Sequence, residues 1–188
     1  MFNFVCGYCK HVFSGYDSSI INVSEVMGCP NCGLSVRKAD CDILVRPSSE
    51  RYRDLDAVMS SSWFHFTFVD DWFNVVTGKG QLTPAVHVGT FDAAVERGRD
   101  AINYYDTPTN DLYEIRFKPG TKFDDLIHSD KENRWEERAS DLPYDAARYV
   151  NKYESPGSIS IICDPRVLEV VAVHNLPALT TPGQLATV

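Results

Sequence analysis

Two Cys-x-x-Cys pairs constrain the start of this chain more than any other feature. Cys6-Gly7-Tyr8-Cys9 is followed by 19 residues and then by Cys29-Pro30-Asn31-Cys32. Each pair lets one tight turn present two thiolates to a single ion, and two such turns complete a tetrahedral four-thiolate site of the kind zinc takes. Gly7 and Gly33 are expected to relax the backbone at these turns. The segment between the pairs is too short to bury a core, so the ion itself must supply folding free energy. The reading is a zinc ribbon of short strands over residues 1–45, with Cys6, Cys9, Cys29 and Cys32 as ligands. A four-cysteine site is closed, so its role is structural and not catalytic. His11 adjoins the first pair but is left without a ligand position. Cys41 and Cys163 are outside the motif. Cys163, in the apolar run SISIIC, reads as a small buried hydrophobe.

Paired metal-binding cysteines point to a reducing cytoplasm, or a host cytoplasm for a phage-encoded chain, more than to secreted disulfides. The opening MFNFVCGYCK has no basic stretch followed by an apolar one and does not resemble a signal peptide. No apolar run approaches the ~20 residues of a bilayer crossing, and no membrane role is expected. The formal charge is -8, from 18 basic and 26 acidic residues, which disfavours a protein that coats nucleic acid. Hydrophobic residues make up 44% of the chain and aromatic residues 12%, enough for a packed core beyond the ribbon.

The remainder reads as an α+β domain over residues 51–175, with a tail at 176–188. Arg46 to Ser49 look like a linker, and Arg51 to Met59 like a short helix. WFHFTFV, residues 63–69, has strand composition, with Phe64, Phe66 and Phe68 on one face and Trp63, His65, Thr67 and Val69 on the other. Asp70 or Asp71 is placed to cap a short helix through Trp72 and Val76, ending at Gly78. AVHVG, residues 85–89, is a second strand, and Thr90 then caps the helix FDAAVERGRDAINYY with Asp92 in its first turn. LYEIRF, residues 112–117, is a strand ending at Pro119-Gly120. NRWEERASD suggests an exposed helix. SISIIC and VLEVVAV, separated by Asp164-Pro165, read as paired strands.

Polar residues interrupt this pattern in three places: His65 and Thr67 on an aromatic strand, His87 in the middle of VHVGT, and Asn151, Glu154, Ser158 and Ser160 around the entry to an apolar strand. The order of these pieces over residues 60–173 resembles the ADP-ribosyltransferase superfamily, particularly its small phage and toxin forms. His65-Phe66-Thr67 is similar to the family's first strand. AVHVGTFDAAVERG is similar to its second strand and following helix, although many members have tyrosine where this chain has His87. LYEIRFKPGTKFDD and YVNKYESPGSISIICDPRVLEVV resemble the later blocks.

The resemblance implies a split β-sheet domain with short helices that takes NAD as co-substrate. It implies transfer of ADP-ribose to a macromolecular acceptor, protein more readily than nucleic acid. Glu154, His65 and His87 would be the catalytic residues. His65, Phe66, Thr67, His87, Gly89, Thr90, Asn151 and Ser160 would hold NAD. Three alternatives stay open: a non-catalytic binding module with a degenerate domain, an RNA 2'-phosphotransferase-like enzyme, and a zinc-ribbon transcription or replication factor. The second would need Arg97, Arg99, Arg134 or Arg148 for RNA phosphate.

Overall fold

A computed structural model describes residues 2–15, 26–37, 42–78, 85–102, 111–128, 142–152 and 154–175. It is a mixed α+β arrangement with several small sheets and few helices.

Strands β1 (Phe2–Val5) and β2 (Val12–Gly15) pair antiparallel around the first cysteine pair, with Phe4 opposite Phe13. β3 (Val26–Gly28) and β4 (Ser35–Arg37) do the same around the second, and β5 (Asp42–Ile43) returns to pair with β1. The two cysteine turns are built alike: Lys10 N–H bonds the Cys6 carbonyl at 3.0 Å, and Gly33 N–H bonds the Cys29 carbonyl at 2.9 Å. The left-handed residue in each turn is the one after the second cysteine. That is Gly33 at φ +69° but Lys10 at φ +59°, so Gly7 does not have the role expected of it.

The expected linker is ordered. Pro47–Arg53 is a 3-10 helix whose Ser49 and Tyr52 are buried. Asp54 then caps α1 (Leu55–Ser60), accepting from Asp56 N–H at 3.2 Å. β6 (Trp63–Thr67) follows, shorter than expected because Thr67 Oγ1 accepts from Val69 N–H at 3.0 Å and closes a turn. Next come α2 (Trp72–Thr77), β7 (Val86–Val88), α3 (Phe91–Ile102), β8 (Asp111–Phe117), β9 (Phe123–His128), β10 (Ala146–Val150), β11 (Ile159–Cys163) and β12 (Leu168–Asn175). Asp71 precedes α2, but its carboxylate accepts from the Asn74 side chain and caps no backbone N–H. The expected helix NRWEERASD, the last three residues of FDAAVERGRDAINYY, Cys41 and the tail lie outside the described residues.

β11 and β12 are not partners. β11 lies between β7 and β10 in the sheet β7-β11-β10-β9, whereas β12 pairs with β8 in the sheet β12-β8-β6. Asp164 caps the 3-10 turn Pro165–Val167, and Lys118 N–H bonds the Val167 carbonyl at 2.8 Å. This turn takes the chain from one sheet to the other. Among the described residues the sheets meet at one isolated antiparallel bridge, in which Phe64 and Gly89 exchange two N–H to O bonds of 2.9 Å.

One apolar cluster joins the cysteine module to both sheets. It contains Phe4, Cys6, Cys29 and Ile43 together with Tyr52, Trp63, Ile115, Ile159, Ile161 and Leu168. The alternation along β6 holds: Phe64, Phe66 and Phe68 gather with Leu112 and with Ala94 and Val95 of α3. Arg148, 3% exposed, donates to the carbonyls of Tyr52, Arg53, Asp124 and Asp125 and thereby ties β9 to the 3-10 helix.

The segment behind β5 is clasped to the loop between β10 and β11. Arg46 N–H bonds the Gly157 carbonyl at 2.9 Å, and the Arg46 guanidinium donates to the Ser155 carbonyl at 3.1 Å and to its hydroxyl. Gly157 has φ +79°, and a Cβ there would stand 2.8 Å from the Leu44 carbonyl oxygen. Gly157→Ala is therefore expected to destabilise the chain by about 2 kcal/mol or more, from a left-handed residue with a Cβ and a backbone clash. A thermal melt unchanged from that of the unmodified protein would contradict this.

Candidate metal centre and candidate active site

The sulfur atoms of Cys6, Cys9, Cys29 and Cys32 all lie within 4.8 Å of one another and could hold a metal ion. The Cys6–Cys32 and Cys9–Cys29 separations are 3.9 and 3.6 Å. A regular tetrahedron with zinc–sulfur bonds of ~2.3 Å has edges of ~3.8 Å, so the thiols already stand at zinc spacing. Asn31 Nδ2 donates to Cys9 Sγ at 3.5 Å. That bond and one from the His11 backbone lower the Cys9 thiol to about 6, whereas, against a backbone bond from Leu34, desolvation and the three neighbouring cysteines push Cys32 up to about 11. The His11 residue itself is exposed.

The second constellation surrounds the seam between the sheets. His65 Nδ1 lies 2.7 Å from the His87 carbonyl. A carbonyl only accepts, so Nδ1 carries the proton and Nε2 is left as an acceptor. The ring stacks on Trp72, with centroids 4.0 Å apart and planes 15° apart. Burial, with smaller contributions from the charges of His87 and Arg97, lowers His65 from 6.5 to about 4 against the opposing effect of the backbone hydrogen bond. The imidazole is therefore neutral at ordinary pH.

This shift has a sign that can be tested. The folded chain resists protonation of His65 and the unfolded chain does not. Stability is thus complete above about pH 6.5 and falls as pH drops towards about 4, by about 3 kcal/mol across the window. The urea midpoint is expected to fall between about pH 7 and pH 5, and to fall less in His65→Phe, which keeps a ring on Trp72. Equal slopes in the two proteins would refute the assignment.

Glu154 sits in the loop between β10 and β11. Its N–H donates to Asn151 Oδ1 at 3.0 Å, and Asn151 Nδ2 donates to Ser160 Oγ at 3.0 Å. Ser160 Oγ lies 3.2 Å from where a Cβ on Gly89 would stand, and Ala93 Cβ lies 3.1 Å from it. Glycine at 89 lets β7, β11 and the start of α3 converge. The Glu154 carboxylate meets Arg97 of α3 at 3.3 Å, and the next residue's N–H donates to Glu96 Oε2 at 2.6 Å.

Asn151, Glu154, Ser160 and Gly89 thus form one connected set, to which Arg97 adds its contact with the Glu154 carboxylate. The other candidate residues are engaged differently. The His87 ring meets the Tyr149 hydroxyl at 3.1 Å. Phe66 is buried under α3, where a Cβ on Gly98 would stand 2.6 Å from its ring. Thr67 closes the turn after β6. Thr90 caps α3, accepting from Ala93 N–H at 3.4 Å. Arg148, considered for RNA phosphate, is spent on backbone carbonyls. The sequence reading gave no part to Trp72, Glu96 or Tyr149, and it took Arg97 only as a scattered cation. Glu96, Arg97 and Tyr149 find their partners far along the chain, at Ser155, Glu154 and His87, whereas Trp72 stacks on His65 from the next element.

Compared with protein-family models, curated proteins and solved structures, the chain gives no significant match. Among the described residues, no helix is long and apolar enough to cross a membrane.

Proposed function

We propose that residues 51–175 form an ADP-ribosyltransferase-like split-sheet domain that transfers ADP-ribose from NAD to a macromolecular acceptor, and that the cysteine module is a structural zinc ribbon or target-docking unit. The observation that supports this most is the chain of hydrogen bonds Ser160–Asn151–Glu154. It fixes the backbone of the loop that carries Glu154, and its far end, Ser160 Oγ, lies against Gly89.

In such a transfer the bond from the ribose C1' to nicotinamide breaks, and its electron pair leaves with nicotinamide. The acceptor nucleophile then bonds to C1' and releases its proton. Positive charge builds on the ribose in between, as in glycoside cleavage. Glu154 would stabilise that charge and orient a ribose hydroxyl. Neutral His65 would accept a hydrogen bond through Nε2. His87, steadied by Tyr149, would flank the nicotinamide. Asn151 and Ser160 would fix the loop that carries Glu154.

A second reading has one observation in its favour. The Glu154–Arg97 contact is also what a purely structural ion pair looks like, which suits a degenerate domain that binds without turnover. Incubation with labelled NAD and a cell lysate separates the two. Label on a macromolecule together with released nicotinamide supports the transferase. NAD binding without turnover supports the binding module, and no interaction with NAD removes both.

A further inference from the structure

A cleft of about 390 Å3 opens between the 3-10 helix, the start of β6 and the N-terminus of α3. Its size lies in the range of small-molecule sites. Arg46 and Arg51 line it together with one acidic residue, Asp92; the Arg46 guanidinium also donates to Ser155 and that of Arg51 to the Tyr52 hydroxyl. The first-turn N–H groups of α3, at Phe91 and Asp92, have no intrahelical acceptor, and the positive end of the helix dipole lies there. Ser49 also lines the cleft. It is 2% exposed, and its hydroxyl makes no hydrogen bond among the described residues. Arg46 Nε is a buried donor left unsatisfied among the described residues. Buried polar groups without partners are rare in folded chains, and here they share a wall with cationic side chains. Phe91, 50% exposed, stands edge-on to Phe64 at 5.4 Å and offers a ring face at the same opening.

The geometry points to a nucleotide site. A phosphoryl group lies between Arg46, Arg51, the Ser49 hydroxyl and the start of α3, and the base stacks on Phe91. Guanidinium forks match phosphate oxygens, and helix N-termini favour anions. Bases stack on aromatic side chains without need of sequence readout. Arg46 and Ser49 precede the proposed transferase domain, but Phe64, Thr90 and Phe91 also line the cleft and lie within it, so the site borders the residues that would hold NAD.

The probe is AMP, titrated by calorimetry into the full chain, with adenosine as the control that lacks the phosphoryl group. AMP is expected to bind at least about tenfold more tightly than adenosine, and Arg51→Gln to weaken it about tenfold. Ser49→Ala is the sharper variant. Its hydroxyl has no partner among the described residues to lose, so the thermal midpoint should hold or rise while AMP affinity falls about tenfold. Equal binding of AMP and adenosine, no binding of either, or unchanged affinity in Ser49→Ala would overturn the site. Competition with NAD tells the source of the phosphate: displacement of AMP assigns the cleft to the dinucleotide, and its absence to a separate nucleotide. AMP binding in a protein that never turns over NAD upholds the cleft and removes only the transferase.

Discussion

Cys29→Ser is expected to abolish metal binding and, with it, the ordered packing of the first 45 residues. The reason lies in burial as much as in ligation. Cys6 is 0% and Cys29 1% exposed, and both belong to the apolar cluster that includes Phe4, Ile43, Tyr52 and Trp63. Ion binding to a four-thiolate site contributes directly to folding, on the order of 10 kcal/mol in small zinc modules. A whole domain is held by only about 5–15 kcal/mol, so the loss reaches the sheets behind the ribbon. Metal analysis should give one zinc per unmodified chain and close to none in the variant. A strong chelator should reproduce the effect, seen as loss of near-ultraviolet dichroism from Trp63 and as proteolysis within residues 1–45. A chain that carries no zinc as purified and keeps its melting point in chelator would show that the thiols hold no structural ion.

Glu154→Gln carries the other large effect. The substitution keeps shape and hydrogen-bonding capacity but removes the charge. The fold should hold, because the bonds that fix this loop run from the Glu154 and Ser155 N–H groups and from Arg46, not from the Glu154 carboxylate. The lost pair with Arg97, whose side chain is 66% exposed, is worth less than about 1 kcal/mol. Transfer of ADP-ribose, in contrast, should fall about 100-fold or more, the usual cost of deleting a group aimed at transition-state charge. NAD affinity should change far less, since the charge that Glu154 would oppose develops only during bond breakage. Single-turnover nicotinamide release, alongside circular dichroism of the same sample, separates these quantities. Transfer at the rate of the unmodified chain would discard Glu154 as the charge-stabilising group.

What could be read in advance from the residues was local. The cysteine spacing, the alternation of phenylalanines along β6 and the cap at Thr90 each depend on neighbours a few positions away. Their physical signatures are therefore written in consecutive letters. Pairings set by distant segments were not legible. Asp164-Pro165 between two apolar runs looks like a hairpin turn, yet β12 finds its partner in β8, with Leu168 opposite Phe117 and Asn175 opposite Asp111, because the 3-10 turn redirects the chain. Arg148 looked like an available cation, and only the fold shows four carbonyls closing around it. Lys10 in a left-handed turn was likewise hidden, since glycine is the residue normally sought there. In the candidate site, Asn151, Glu154 and Ser160 lie within ten positions and could be grouped by eye. Arg97, which is 57 positions from Glu154, could not.

The clasp between Arg46 and the Ser155–Gly157 turn bears on how separable the two halves of the molecule are. The bonds that anchor the far side of the Glu154 loop come from a residue that directly follows the metal-binding module. A shortened chain starting at residue 51 would keep every strand of the two larger sheets and still lose that anchor. The cysteine module is thus not an accessory that can be cut away without consequence: the residue next to it in the chain holds the turn that follows Glu154.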